Sequence, residues 1–91
     1  MQAKTKDECG VRLSRIEGQV RGIARMIGED RYCIDVLTQL RAVRVALRRV
    51  EDEVLNDHVT HCVEGAIASG DGAEQRRKVQ ELLAVLTRRD T

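Results

Sequence analysis

Proline is absent from this chain, as are tryptophan and phenylalanine. With no proline, nothing in the covalent chemistry forces a kink or a stop in a long helix. Tyr32 is the only aromatic residue, so any core must be assembled from Val, Leu, Ile and Ala. That composition reads as helices that need packing partners to be stable. No apolar run is long enough to span a membrane, and no secretory leader is visible. The 3 cysteines cannot all pair within one chain. The expected setting is therefore a reducing cytosol, where thiols serve as ligands or redox sensors rather than staples. Enzyme signatures are also missing. Gly10, Gly18 and Gly22 lie in a helical pattern and are not followed by a phosphate-binding lysine. A Cys–His nucleophilic pair is conceivable, but with no oxyanion device and no obvious substrate pocket an enzyme is only a remote third reading.

What remains is one small domain of 91 residues, expected to bury only a modest core. Net charge is +1, but it is unevenly spread: residues 1–50 carry 11 Lys/Arg against 6 Asp/Glu, and residues 51–91 carry 5 against 9. A basic front half in a near-neutral chain suggests a polyanionic partner.

Hydrophobic periodicity predicts an all-α protomer of three helices. Residues 1–7 are polar and expected to be disordered. Leu13, Ile16, Val20, Ile23 and Ile27 form a heptad-like stripe for a helix over 8–27. Gly28-Glu29-Asp30 ends it, with Asp30 placed to cap the next helix. A very long central helix follows over 31–69, its stripe being Val36, Leu40, Val43, Leu47, Val50 and Val54. Such a helix exceeds the span of a compact domain of this size, so an obligate oligomer is expected. Ser69-Gly70-Asp71-Gly72 is the next stop. Asp71 with Glu74 resembles a capping box for a third helix over 73–87, whose apolar face is Val79, Leu82, Leu83 and Leu86.

Continuing the central stripe in steps of four reaches His58 and Cys62, one turn apart on one face. With Cys33 they make two thiols and an imidazole, a set suited to Cu(I), or to Zn(II) if a fourth ligand is found. Along one continuous helix Cys33 and His58 would stand roughly 37 Å apart, so one protomer cannot close the site. An antiparallel second copy can, which gives two equivalent sites across a dimer. Taken singly, each of the three reads more simply as a buried or backbone-bonded side chain; their joint placement favours ligation. His61 points away and is peripheral. Cys9 falls in the polar start and is left outside the site. Tyr32 adjoins Cys33 and can shield or hydrogen-bond it. Glu81 is a solvated charge on pattern alone, or an acceptor for the far nitrogen of His58.

Arg12, Arg15, Arg21 and Arg25 on the first helix, and Arg41, Arg44 and Arg48 on the second, are candidate phosphate contacts. Intrahelical pairing is the simpler fate for some, as for Glu17 with Arg21. No short helix-turn-helix is evident, so DNA would meet flat helical faces of an assembled oligomer.

The run Arg12-Leu13-Ser14-Arg15-Ile16-Glu17-Gly18-Gln19-Val20-Arg21-Gly22-Ile23, with Met26-Ile27, Tyr32-Cys33-Ile34-Asp35-Val36-Leu37-Thr38-Gln39 and His58-x-x-x-Cys62, resembles the copper-sensitive operon repressors of the CsoR/RcnR family. The likeness covers residues 8–87. It implies Cu(I) bound in trigonal geometry by Cys33 of one protomer and His58 and Cys62 of another. It places Tyr32 and Glu81 around the histidine. It associates Arg12 and Gln19 with operator binding and puts Arg49 in a basic patch of the central helix. It implies an antiparallel four-helix-bundle dimer, assembled as a dimer of dimers, that represses in its metal-free form and is released by Cu(I). Operator DNA, further copies of the chain and a copper chaperone are the candidate partners. Nickel and cobalt members carry an N-terminal histidine where this chain has Met1. Formaldehyde-sensing relatives lack the thiol found here as Cys62, and persulfide-sensing relatives usually lack the histidine found here as His58. Asp52 stands where some copper sensors have a basic residue. A persulfide sensor using Cys33 and Cys62, or a metal buffer without a DNA role, are the alternative readings.

Overall fold

The computed structural model of the chain describes residues 1–88, with Arg88 as backbone only. The end of the expected 1–91 domain lies outside the described residues. All regular elements among the described residues are helical: α1 (Ala3–Gly28), α2 (Cys33–His58), a π-helical turn (Val59–Val63), α3 (Glu64–Ala68) and α4 (Gly72–Arg88). The all-α class holds. The chain divides into two compact units, Met1–Leu55 and Asn56–Thr91.

In the first unit, α1 begins at Ala3 rather than near residue 8. The N–H of Lys6 donates to the carbonyl of Gln2 at 3.0 Å, closing the first turn. Cys9 then anchors the segment at only 5% exposure. The core is Cys9, Ile16 and Ile23 of α1 with Val43 and Val50 of α2, flanked by Val36 and Ala46. Apart from Ala46, within each helix these residues recur every seven positions, two helical turns, so they lie in one row.

The expected stripes therefore split in two. Leu13, Val20 and Ile27 on α1, and Leu40, Leu47 and Val54 on α2, each lie four residues past a core position. They remain 37–60% exposed. A protomer alone leaves these second rows uncovered.

Between the helices the chain turns through a left-handed residue. Asp30 has φ 54°, its N–H donates to Ile27 at 3.1 Å, and that of Arg31 donates to Met26 at 3.0 Å. This is the Schellman arrangement, with aspartate where glycine is usual. Asp30 thus closes α1 and is not the cap of α2 that the sequence suggested. Asp30→Gly relieves the left-handed strain. It is expected to raise unfolding free energy by about 0.5–1 kcal/mol, net of the extra entropy of the unfolded chain. Thermal denaturation at fixed protein concentration checks this.

The long helix expected over 31–69 runs without leaving helical conformation from Cys33 to Ala68, but its register changes in a π turn at Val59–Val63. There the backbone bonds step from i to i+5 and accommodate one extra residue. The chain leaves α3 through Gly70, whose φ of 73° suits glycine. Asp71 caps α4, its Oδ1 accepting from the N–H of Ala73 at 3.0 Å and of Glu74 at 3.3 Å. In place of the reciprocal half of the capping box, the Asp71 N–H donates to Oγ of Ser69 at 3.2 Å, and the Glu74 carboxylate pairs with Arg77. Leu82 is half-buried, whereas Val79, Leu83 and Leu86 are exposed in the protomer.

Candidate functional site

Cys33 is the first residue of α2. The helix starts there because the carbonyl of Tyr32 accepts the N–H groups of Asp35 at 3.0 Å and Val36 at 3.2 Å. This leaves Cys33 an exposed free thiol beside the 68% exposed ring of Tyr32.

His58 is the last residue of α2 and is half-buried. Cys62, also a free and exposed thiol, lies inside the π turn. The wider turn puts His58 and Cys62 just under one turn apart rather than just over it. His61 takes a different partner. Its Nε2 lies 4.0 Å from Oδ1 of the buried Asp57. On α4, Glu81 lies 3.7 Å from the Lys78 ammonium.

The expected ligand set is thus divided between the units, Cys33 in the first and His58 and Cys62 in the second. Among the described residues, no three His, Cys, Asp or Glu side chains of one chain gather in a way that could hold a metal.

The arginines are brought together more visibly. Arg12, Arg15 and Gln19 of α1 and Arg49 of α2 line one open groove of about 270 Å³, floored by Ile16, Ala42, Val45 and Ala46. Each polar member comes from the basic front half, and of the apolar lining Ile16 and Ala46 belong to the core and its flank. Arg21 instead pairs with Glu17 at 3.1 Å. Arg44 and Arg48 are exposed and do not line the groove.

Cys9 is the residue whose role the sequence concealed. Its thiol donates to Oε2 of Glu53 at 3.6 Å, while Oε1 of Glu53 receives Nε of Arg12 at 3.0 Å. Burial, then the hydrogen bond and charge of Glu53, push the Cys9 thiol above its usual pKa, against a weaker downward pull from Arg12. A thiol held in this way stays protonated and is a poor metal ligand. The only advance signal was its position seven residues before Ile16.

A helical chain with an arginine-lined groove, an accessible thiol about one turn from an imidazole and a second accessible thiol in its other unit has the makings of a ligand-responsive DNA-binding protein. Residues 5–88 match the metal-sensitive transcriptional repressor family, and the chain belongs to it. It is therefore a transcriptional repressor and not an enzyme.

Over 83 residues the chain is 54% identical to the copper-sensing transcriptional repressor RicR of Mycobacterium tuberculosis, covering 91% of this chain and 85% of that protein. It is 51% identical over 83 residues to the copper-sensing transcriptional repressor CsoR of Bacillus subtilis, covering 91% and 79%. In structure it is similar to the Cu(I)-bound copper-sensing repressor CsoR of Geobacillus thermodenitrificans, with a TM-score of 0.90 at 37% identity, covering 100% of this chain and 92% of that one. The nickel-responsive transcriptional regulator InrS is more distant in shape, at a TM-score of 0.77 with 41% identity, covering 90% and 89%. No helix among the described residues is long and apolar enough to cross a membrane.

Proposed function

We propose that this repressor responds to Cu(I): the metal-free assembly holds operator DNA and releases it when Cys33 of one protomer and His58 and Cys62 of a second bind the ion. The observation that carries this reading is the donor set itself, two free thiols and a half-buried imidazole. It stands in a chain more than half identical to two copper-sensing repressors. Thiolate and imidazole are the donors a soft, low-coordinate cation selects. The uncovered apolar rows on α1 and α2 supply a surface for an antiparallel dimer, which is the arrangement that closes the set, and pairing of dimers gives the tetramer. A copper chaperone is the candidate donor of the ion.

The chain's own residues perform the linkage. Cys33 and Cys62 would hold the ion as thiolates. His58 ligates through one nitrogen, which fixes the direction of the other and offers it to Tyr32 or Glu81. Glu81 reaches it by giving up Lys78, an exposed pair worth at most about 1 kcal/mol. Tying α4 in this way favours an arrangement of Arg12, Arg15, Gln19 and Arg49 that no longer matches the phosphates. The coupling to DNA is of the order of 1–3 kcal/mol per coupled event.

The test is fluorescence anisotropy of a duplex carrying the operator, performed without oxygen and titrated in turn with Cu(I) and with a persulfide donor. Release at one Cu(I) per protomer is expected. Release by persulfide alone would make Cys33 and Cys62 a redox pair, and absence of DNA binding would leave a metal buffer. His58→Ala is expected to retain much of the Cu(I) affinity through the two thiolates yet lose most of the release. Full copper-dependent release by that variant would defeat the role given to His58.

A further inference from the structure

Within the groove, one arginine is not free to move. Arg12 Nε is 3.0 Å from Glu53 Oε1, with both side chains only partly exposed at 31% and 25%. The second oxygen, Oε2, accepts the buried Cys9 thiol at 3.6 Å. Both carboxylate oxygens are engaged, so Glu53 is fixed from one side by the core and in turn fixes Arg12. Guanidinium carries five N–H groups, and this bond uses the one on Nε, leaving the terminal amines for another acceptor. Arg12 shares its groove with Arg15, Gln19 and Arg49.

We propose that Glu53, itself held by Cys9, is the positioning residue for Arg12, clamping the guanidinium by its Nε–H so that the terminal amines are presented to DNA. This rests on the reading that the groove takes operator DNA. A carboxylate beside a phosphate-binding surface is otherwise unfavourable: by charge alone, removing it should tighten DNA binding. The clamp supplies the opposite effect. A long side chain free to rotate must be ordered when it docks, whereas one already bonded at Nε docks in place. Cys9 fits the same scheme, because a protonated thiol donates to the carboxylate and keeps it from turning away.

Charge and positioning thus predict opposite signs for one substitution. The experiment uses the full-length, metal-free protein and a duplex selected by that protein from a random-sequence pool, with a scrambled duplex of equal length beside it. Glu53→Ala is expected to weaken binding to the selected duplex about 5- to 20-fold and to the scrambled duplex much less, as loss of an oriented contact does. Glu53→Gln keeps an acceptor oxygen and should recover most of the loss. In the Arg12→Ala background, Glu53→Ala should add less than about 2-fold, since the two act as one unit. Cys9→Ala should cost about 2- to 3-fold, the share expected of a partner one step removed.

Equal or tighter binding of both duplexes by Glu53→Ala, with a steeper salt dependence, overturns the proposal and leaves Glu53 as a charge only. If Arg12→Ala itself binds both duplexes like the parent, the groove reading falls and this inference with it. Should Glu53→Ala fail to fold, Arg12→Lys serves instead: it keeps the charge but cannot be clamped at Nε while presenting two amines. A matching loss of selectivity supports the clamp, and parental selectivity overturns it.

Discussion

Cys33→Ala is expected to lose Cu(I) affinity by more than about 100-fold, since even the loss of an outer partner of a ligand costs 10–100-fold. Cys62→Ala should do the same. Both variants should still bind operator DNA, and neither should release it when Cu(I) is added. The decisive step is to mix them. If each site draws Cys33 from one protomer and His58 with Cys62 from another, a mixed dimer carries one doubly damaged site and one intact site. After subunit exchange half of the dimers are mixed, so about one site in four should regain parental affinity. Anaerobic competition with a chromophoric Cu(I) chelator reads this directly. A site built within one protomer stays broken in every mixture, so no recovery would sink the intersubunit assignment while leaving copper sensing open. The same pair of variants also separates metal from sulfur chemistry, because a persulfide link between Cys33 and Cys62 would be lost in both and restored in the mixture without any copper.

The proposed donor triad rests on residue type and spacing alone, whereas the helical class was legible because seven-residue apolar steps and the missing proline leave little else. The stops at Gly28-Glu29-Asp30 and Ser69-Gly70 were legible for the same reason: turn chemistry is local. What escaped was of two kinds. Hydrogen-bond register has no residue code, so nothing in Val59-Thr60-His61-Cys62-Val63 announces a π turn. Likewise nothing in Asp30 distinguishes a left-handed close of α1 from a cap of α2. The second kind was tertiary. Cys9 sits among Lys4, Lys6, Asp7 and Glu8, and a polar neighbourhood hid its burial. The Arg12–Glu53 pair joins two helices, and neither residue's local pattern points to the other. The groove was half legible. Arg12 and Arg15 were named from charge along the first helix, Gln19 and Arg49 only through the family resemblance, and which arginines share a face depends on how α1 packs on α2. Arg44 and Arg48 fall outside it.

Leu47→Glu is expected to break the assembly, and with it both activities. Leu47 belongs to the second row, four residues past the buried Val43, and is 45% exposed in the protomer. Covering its neighbours Leu40 and Val54, and Leu13, Val20 and Ile27 of α1, is worth on the order of 1 kcal/mol per side chain. A buried, unpaired carboxylate costs several kcal/mol, and symmetry introduces it in every copy. The association constant should therefore fall by more than about 1000-fold, and sedimentation should find monomers at micromolar concentration. Operator binding should be lost because the arginine grooves are no longer held at a fixed spacing. Cu(I) should bind only weakly, through His58 and Cys62. Gln39→Glu places the same charge on the exposed surface of the same helix and should leave assembly intact. If Leu47→Glu stays assembled and still represses, the rows left bare by the protomer are not the surface through which its copies meet.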